Sequence, residues 1–212
     1  MSDVKICGIT DPESLTAAVE SGARFIGFVF FEKSPRHLDL EVAGYLAKYV
    51  PTAVRAVGLF VDPTDEDLER TLSSVQLDMI QLHGHESPGR LAEIKQKFGL
   101  PLIKAIAISE KEDLEKVPGY EVTADFIMFD AKPSPTDTLP GGNGLPFDWT
   151  ILEGYKGIRP WFLAGGLNPD NVAEAIQKLE PDAVDVSSGV ESAPGKKDLD
   201  KIRAFLNAVK QA

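Results

Sequence analysis

Residues 4–31 read VKICGITDPESLTAAVESGARFIGFVFF. The apolar run VKICGI hands over to a polar, helix-periodic segment that opens on Asp11-Pro12 and closes on Gly22, and the run RFIGFVFF follows at once. A strand, a capped helix and a second strand in that order read as one unit of a parallel α/β fold. The pattern continues through AVRAVGLF (53–60), DMIQLHG (78–84), PLIKAIAI (101–108), DFIMFDAK (125–132), RPWFLAGG (159–166) and DAVDVSSG (182–189). Between these runs lie LEVAGYLAKYV, TDEDLERTLSSV, SPGRLAEIKQKFG and NPDNVAEAIQKLEP, which carry Asp, Ser, Thr or Asn near their starts and often Gly or Pro at their ends. Eight units in 212 residues average about 26 residues each, compact but sufficient for a (β/α)8 barrel of roughly 250 residues. The expected fold is therefore α/β, a single-domain (β/α)8 TIM barrel over residues 1–212. An open doubly wound sheet would more often have fewer strands and a GxGxxG fingerprint, which the chain lacks.

Composition narrows the function. With 43% hydrophobic and 26% charged residues the chain can bury a full core. Its 33 acidic and 22 basic residues give a net charge of -11, which speaks against nucleic acid and leaves an anionic substrate to be held locally. The expected partner is a small molecule. One cysteine cannot form an internal disulfide, no basic leader precedes an apolar stretch, and no run approaches the roughly 18 apolar residues of a membrane span. The expectation is a cytoplasmic protein without a membrane partner.

Barrels of this kind keep their chemistry at the carboxyl ends of the strands. The lone cysteine, Cys7, ends the first run and is followed by Gly8; an isolated aspartate, Asp130, ends the sixth. They form a candidate base and acid pair. Alternation along a strand puts Lys5 with Cys7 on the inner face, as it does Met79, Gln81 and His83, then Phe126, Met128 and Asp130, and last Ala183, Asp185 and Ser187. Lys5 and Asp185 fit equally an ion pair that closes the sheet and a place in the substrate pocket. Anion binding is signalled by Gly165 and Gly166 before a helix with Asn168 as its expected N-cap, by Ser187, Ser188 and Gly189, and by Gly142 and Gly144 in the GGNG stretch. These point to a phosphorylated substrate. Arg36, in KSPRH, suits a second anionic group because guanidinium grips carboxylate bidentately. His37, His83 and His85 share no ligand spacing with Cys7, so no metal is expected; His83 is read as a hydrogen-bonding pocket residue and His85 as solvent-facing. Residues 131–147, rich in Pro and Gly, are expected to form a lid before a helix beginning at Asp148.

With KICGIT, GFVFFEKSPR, QLHG, FDAK, LAGGLNPDNV, DVSSGVE and PGKKD in that order, essentially the whole chain resembles the phosphoribosylanthranilate isomerases of tryptophan and hence aromatic amino acid biosynthesis. The resemblance implies an Amadori rearrangement of N-(5-phosphoribosyl)anthranilate with Asp130 as general acid and Cys7 as general base, and implies no cofactor. It implies that Arg36 holds the anthranilate carboxylate, that the glycines after the seventh and eighth strands and GGNG hold the phosphate, and that Asp185 lies near the amine or sugar hydroxyls. Monomer, homodimer and association with neighbouring pathway enzymes all stay open. Asn143 and Ala131 depart from the family's usual Thr or Leu and Thr, which touches only lid contacts. The chemistry further asks that a nearby cation, for which Lys5 is the choice, favour the thiolate, and that burial or a nearby carboxylate keep Asp130 protonated. The histidine-pathway isomerase is a weaker match, because that family has an aspartate where Cys7 stands. Indole-glycerol-phosphate synthase needs a lysine and glutamate set that finds no place here. A non-catalytic metabolite-binding barrel has no need of both Cys7 and Asp130.

Overall fold

The computed structural model describes residues 2–132 and 148–212. Most of the lid expected at 131–147, with Gly142, Asn143 and Gly144, lies outside the described residues.

Eight parallel strands close into a barrel in chain order: β1 (Asp3–Cys7), β2 (Phe25–Val29), β3 (Arg55–Phe60), β4 (Met79–Leu82), β5 (Leu102–Ile108), β6 (Phe126–Ala131), β7 (Trp161–Leu163) and β8 (Ala183–Val186). The strand β8 pairs back onto β1, with Lys5 beside Asp185. Each strand falls on the run that announced it, with β1 starting one residue earlier, at Asp3. Gly8, His83, Gly165 and Ser187 fall just past the strand ends, in the loops that line the barrel mouth.

The helices follow their caps. Asp11 accepts from the Ser14 N–H at 2.8 Å and starts α1 (Pro12–Glu20), while α2 (Leu40–Ala47) follows Asp39. Thr64 and Asp67 form a reciprocal capping box on α3 (Asp65–Ser74), and Ser87 caps α4 (Pro88–Phe98), which ends on the left-handed Gly99. Two expectations change. The helix after β7, α6 (Val172–Leu179), is preceded by Asn171 and not by Asn168. Asn168 Oδ1 is occupied by the Asp170 N–H at 2.9 Å, a local turn that delays the helix. The helix expected at Asp148 is one 3-10 turn, Trp149–Leu152, capped by the Asp148 side chain. The fifth crossover is a 3-10 turn at Lys111–Lys116 running into α5 (Val117–Glu121). A hairpin of β9 (Glu191–Ala193) and β10 (Lys196–Lys197) follows β8, and α7 (Leu199–Gln211) ends the chain.

Alternation sorts the buried residues into two bodies. The larger joins the outer face of the strands to the helices, through Ile6, Ile26, Ile80, Ile127, Leu91 and Phe205 among others. The smaller fills the barrel with Phe25, Val57, Met79, Ile103, Met128 and Phe162. Phe25, Phe126 and Phe162 meet edge to face near the amino ends of β2, β6 and β7, with Phe25–Phe162 centroids 5.2 Å apart. That apolar floor leaves the polar inward residues above it, toward the mouth.

Candidate active site

The strand β1 carries Lys5 and Cys7 inward. Lys5 is fully buried, and its ammonium lies 2.7 Å from Asp185 Oδ1, so the two form an ion pair that joins the first strand to the last. Cys7 is buried one step higher. Room for its thiol comes from Gly27, its register partner on β2: a Cβ there would stand 2.9 Å from Cys7 Sγ and 3.1 Å from Lys5 Nζ. Burial pushes the Cys7 thiol above its ordinary pKa; Lys5 and Lys197 pull it down and Asp185 adds to the rise. Lys5 thus acts in the expected direction but is outweighed by desolvation. The Lys5 ammonium itself, although burial opposes its charge, is raised by Asp185 and Cys7 and stays protonated.

Asp130, near the end of β6, is 7% exposed. Its Oδ1 accepts from the Ala131 N–H at 2.8 Å, and its Oδ2 lies 3.2 Å from His83 Nε2. Gln81 Nε2 lies 2.9 Å from His83 Nδ1, so an amide N–H donating there leaves the imidazole proton on Nε2, facing Asp130. Asp130 therefore faces an imidazole and not a second carboxylate. Gly165, at φ +81, closes the other side, where a Cβ would meet the Ala131 nitrogen at 2.7 Å and Asp130 Oδ1 at 3.1 Å. His85 is exposed and pairs with Asp62.

Arg36, in the loop after β2, is not a solvated loop residue but 5% exposed, with Nε 2.8 Å from Glu191 Oε1 and Nη2 2.9 Å from Oε2. The loops after β7 and β8 lie side by side, with Gly189 packed on the Leu167 carbonyl. Ser188 and Gly189 open a 3-10 turn, Ser188–Val190, whose first N–H groups have no carbonyl partner within the turn. Gly165 and Gly166 both have positive φ beside it. The Ser187 hydroxyl donates to the Cys7 carbonyl at 3.1 Å.

The structure thus gathers Lys5, Cys7, Arg36, His83, Asp130, Gly165, Gly166, Asp185, Ser187, Ser188 and Gly189 at one end of the barrel. Among the described residues no cluster of three or more His, Cys, Asp or Glu is arranged to hold a metal ion. Gly27, Glu191 and Lys197 were not singled out from sequence. Gly27 had a signal, since a glycine inside an apolar strand marks a close approach. Glu191 and Lys197 had none, because their partners come from distant loops.

A family model described as N-(5'-phosphoribosyl)anthranilate (PRA) isomerase matches residues 4–208. The N-(5'-phosphoribosyl)anthranilate isomerase of Paracoccus denitrificans is 54% identical over 203 residues, 96% of this chain and 94% of that protein. The crystal structure of phosphoribosyl anthranilate isomerase from Thermotoga maritima shares 40% identity with a TM-score of 0.89, covering 100% of both chains. A structure of a phosphoribosyl anthranilate isomerase in complex with reduced 1-(o-carboxyphenylamino)-1-deoxyribulose 5-phosphate shares 39% identity with a TM-score of 0.87, again over 100% of both chains. Likeness of that extent, in sequence and in fold alike, places this chain in the N-(5'-phosphoribosyl)anthranilate isomerase family.

Proposed function

We propose that the chain converts N-(5'-phosphoribosyl)anthranilate to 1-(2-carboxyphenylamino)-1-deoxyribulose 5-phosphate in tryptophan biosynthesis, with Asp130 as general acid and Cys7 as general base. The observation that carries the reading is that both groups, far apart in sequence, point inward from buried positions at the carboxyl ends of β6 and β1 and so face one mouth.

The anilinic nitrogen pushes open the furanose as Asp130 protonates the ring oxygen, giving an open-chain iminium. The carboxylate left behind has His83 Nε2 3.2 Å from its Oδ2, and an N–H there favours that transfer. Cys7 then takes the proton from the neighbouring sugar carbon, and the resulting enolamine tautomerises to the ketone, the former anomeric carbon gaining a proton as the enol hydroxyl gives one up. Burial makes the thiolate scarce, but the cationic iminium forms beside it and adds to the pull of Lys5 and Lys197 toward ionisation. Arg36 holds the anthranilate carboxylate, Asp185 faces the amine, and the Gly165–Gly166 loop with the 3-10 turn at Ser188 holds the phosphate, the position such barrels use for it. A free thiol as base suits the reducing cytoplasm. No helix among the described residues is long and apolar enough to cross a membrane.

The test is turnover of substrate generated in situ, followed by loss of anthranilate-type fluorescence, for wild type, Cys7→Ser and Asp130→Asn. Wild type should turn over, and each variant should lose about 100-fold or more in kcat while still binding the reduced product analogue. An inert wild type that binds the analogue would reduce the chain to a binding barrel, and an active variant would remove that residue from its role.

A further inference from the structure

The segment PGKKD, residues 194–198, enters the scheme above only through the pull of Lys197 on Cys7, yet it places a fully buried lysine side chain beside the substrate pocket as well. Lys197 Nζ donates to Glu191 Oε1 at 2.8 Å, to the Ser187 carbonyl at 3.0 Å and to Ser187 Oγ at 3.3 Å. The same Glu191 carboxylate accepts both Nε and Nη2 of Arg36. Oε1 is shared, with Arg36 Nε and Lys197 Nζ each at 2.8 Å. One carboxylate is therefore divided between two cations. The hairpin that carries it is fixed from behind, since Lys201 Nζ donates to the Glu191 carbonyl at 2.8 Å.

A guanidinium gripped on two nitrogens by one carboxylate has most of its charge offset, and attracts a second carboxylate weakly. A further cation on the same carboxylate takes up part of that negative charge. We infer that Lys197 is a positioning residue that keeps Arg36 cationic toward the substrate's carboxylate, and so sets the preference for an aryl amine that bears one. The inference rests on Arg36 holding that group, as proposed above. Burial alone would raise the Glu191 carboxyl, but Arg36 and Lys197 together hold it below the ordinary range, so the triad remains one anion between two cations. Burial pulls the Lys197 ammonium below its ordinary pKa with Glu191 opposing, so binding is best measured on the acid side of neutrality.

The experiment is calorimetric titration near pH 6.5 with two probes, reduced 1-(o-carboxyphenylamino)-1-deoxyribulose 5-phosphate and its phenylamino counterpart without the carboxyl. Wild type should prefer the carboxylate probe by about tenfold or more, and Arg36→Met should abolish the preference. Lys197→Met should cut it to about threefold or less while leaving the decarboxylated probe within about twofold, and Lys197→Arg should restore it. No preference in wild type would sink the Arg36 reading and this inference with it. A full preference retained in Lys197→Met, or an equal loss of both probes, would overturn the inference alone, the second outcome marking Lys197 as a brace for the hairpin. Should Lys197→Met fail to fold by circular dichroism, Glu191→Gln decides: removing the offsetting charge should keep the preference at or above wild type, and a fall below it overturns the inference.

Discussion

At the scale of single residues the site turns on the space around one thiol. Cys7 Sγ and Lys5 Nζ converge over Gly27, and no side chain fits between them. Gly27→Ala should cost about 1–3 kcal/mol of stability through overpacking, and lower kcat more than it raises KM, because the displaced atoms belong to the base. Equal kinetics for Gly27→Ala and wild type would show that the thiol has slack. The raised Cys7 pKa has a direct readout, since Cys7 is the only cysteine. The thiolate is the nucleophile, so alkylation by iodoacetamide should rise with pH and reach half-maximum above the ordinary thiol value of about 8.5. Lys5→Met should move that midpoint higher, because Lys5 favours the charged form; an unchanged midpoint would remove Lys5 from the electrostatics of the base. The identity of Cys7 and Asp130 as candidates was legible in sequence, from strand ends and parity. The sign of the thiol's shift was not, because it depends on how completely neighbouring strands exclude water.

At the scale of elements, the loop after β4 is held by a buried pair that the sequence does not announce. Lys104 on β5 alternates outward from Ile103 and Ala105, and its ammonium reaches Glu86 Oε2 at 2.5 Å and the Gly84 carbonyl at 2.7 Å. Glu86 Oε1 in turn accepts from the backbone N–H of Asp62 and of Gly84. His83 lies directly before Gly84, so this brace fixes the backbone that aims its ring at Asp130. Both partners are nearly fully buried, and Lys104→Met leaves Glu86 charged without its counter-ion; the loss should be about 3–5 kcal/mol in chemical denaturation, with a fall in kcat. A melting curve within error of wild type would refute the brace. Helix starts tell the opposite story, because their signals are local. The Ser87 hydroxyl accepts from the Arg90 N–H at 3.1 Å, and Ser87→Ala should cost about 1 kcal/mol in the same measurement with kinetics untouched. The one misplaced cap, Asn168, fails for a local reason too: its side chain bonds two residues ahead and makes a turn instead.

At the scale of the whole molecule, the closed barrel brings both ends of the chain into one core. Phe162 on β7 sits at the centre of the aromatic floor, touching Phe25 and Phe126, and is fully buried. Phe162→Ala should cost about 3–5 kcal/mol in urea denaturation, most of it from a cavity that strands tied on both edges cannot close. A cost under about 1 kcal/mol would mean that the floor collapses and the interior is not tightly packed. The order of the eight strands, the inward faces and most helix starts were determined by the sequence alone, because hydrophobic period and capping chemistry act over a few residues. The sequence left Lys5 and Asp185 open between an ion pair and a pocket role, and the tertiary structure shows the pair; it alone decided that His83 meets Asp130 and that Glu191 is divided between Arg36 and Lys197. Those partners are joined by closure of the sheet and by loops from separate strands, and no local pattern in the chain encodes a contact whose geometry exists only once the ring is shut.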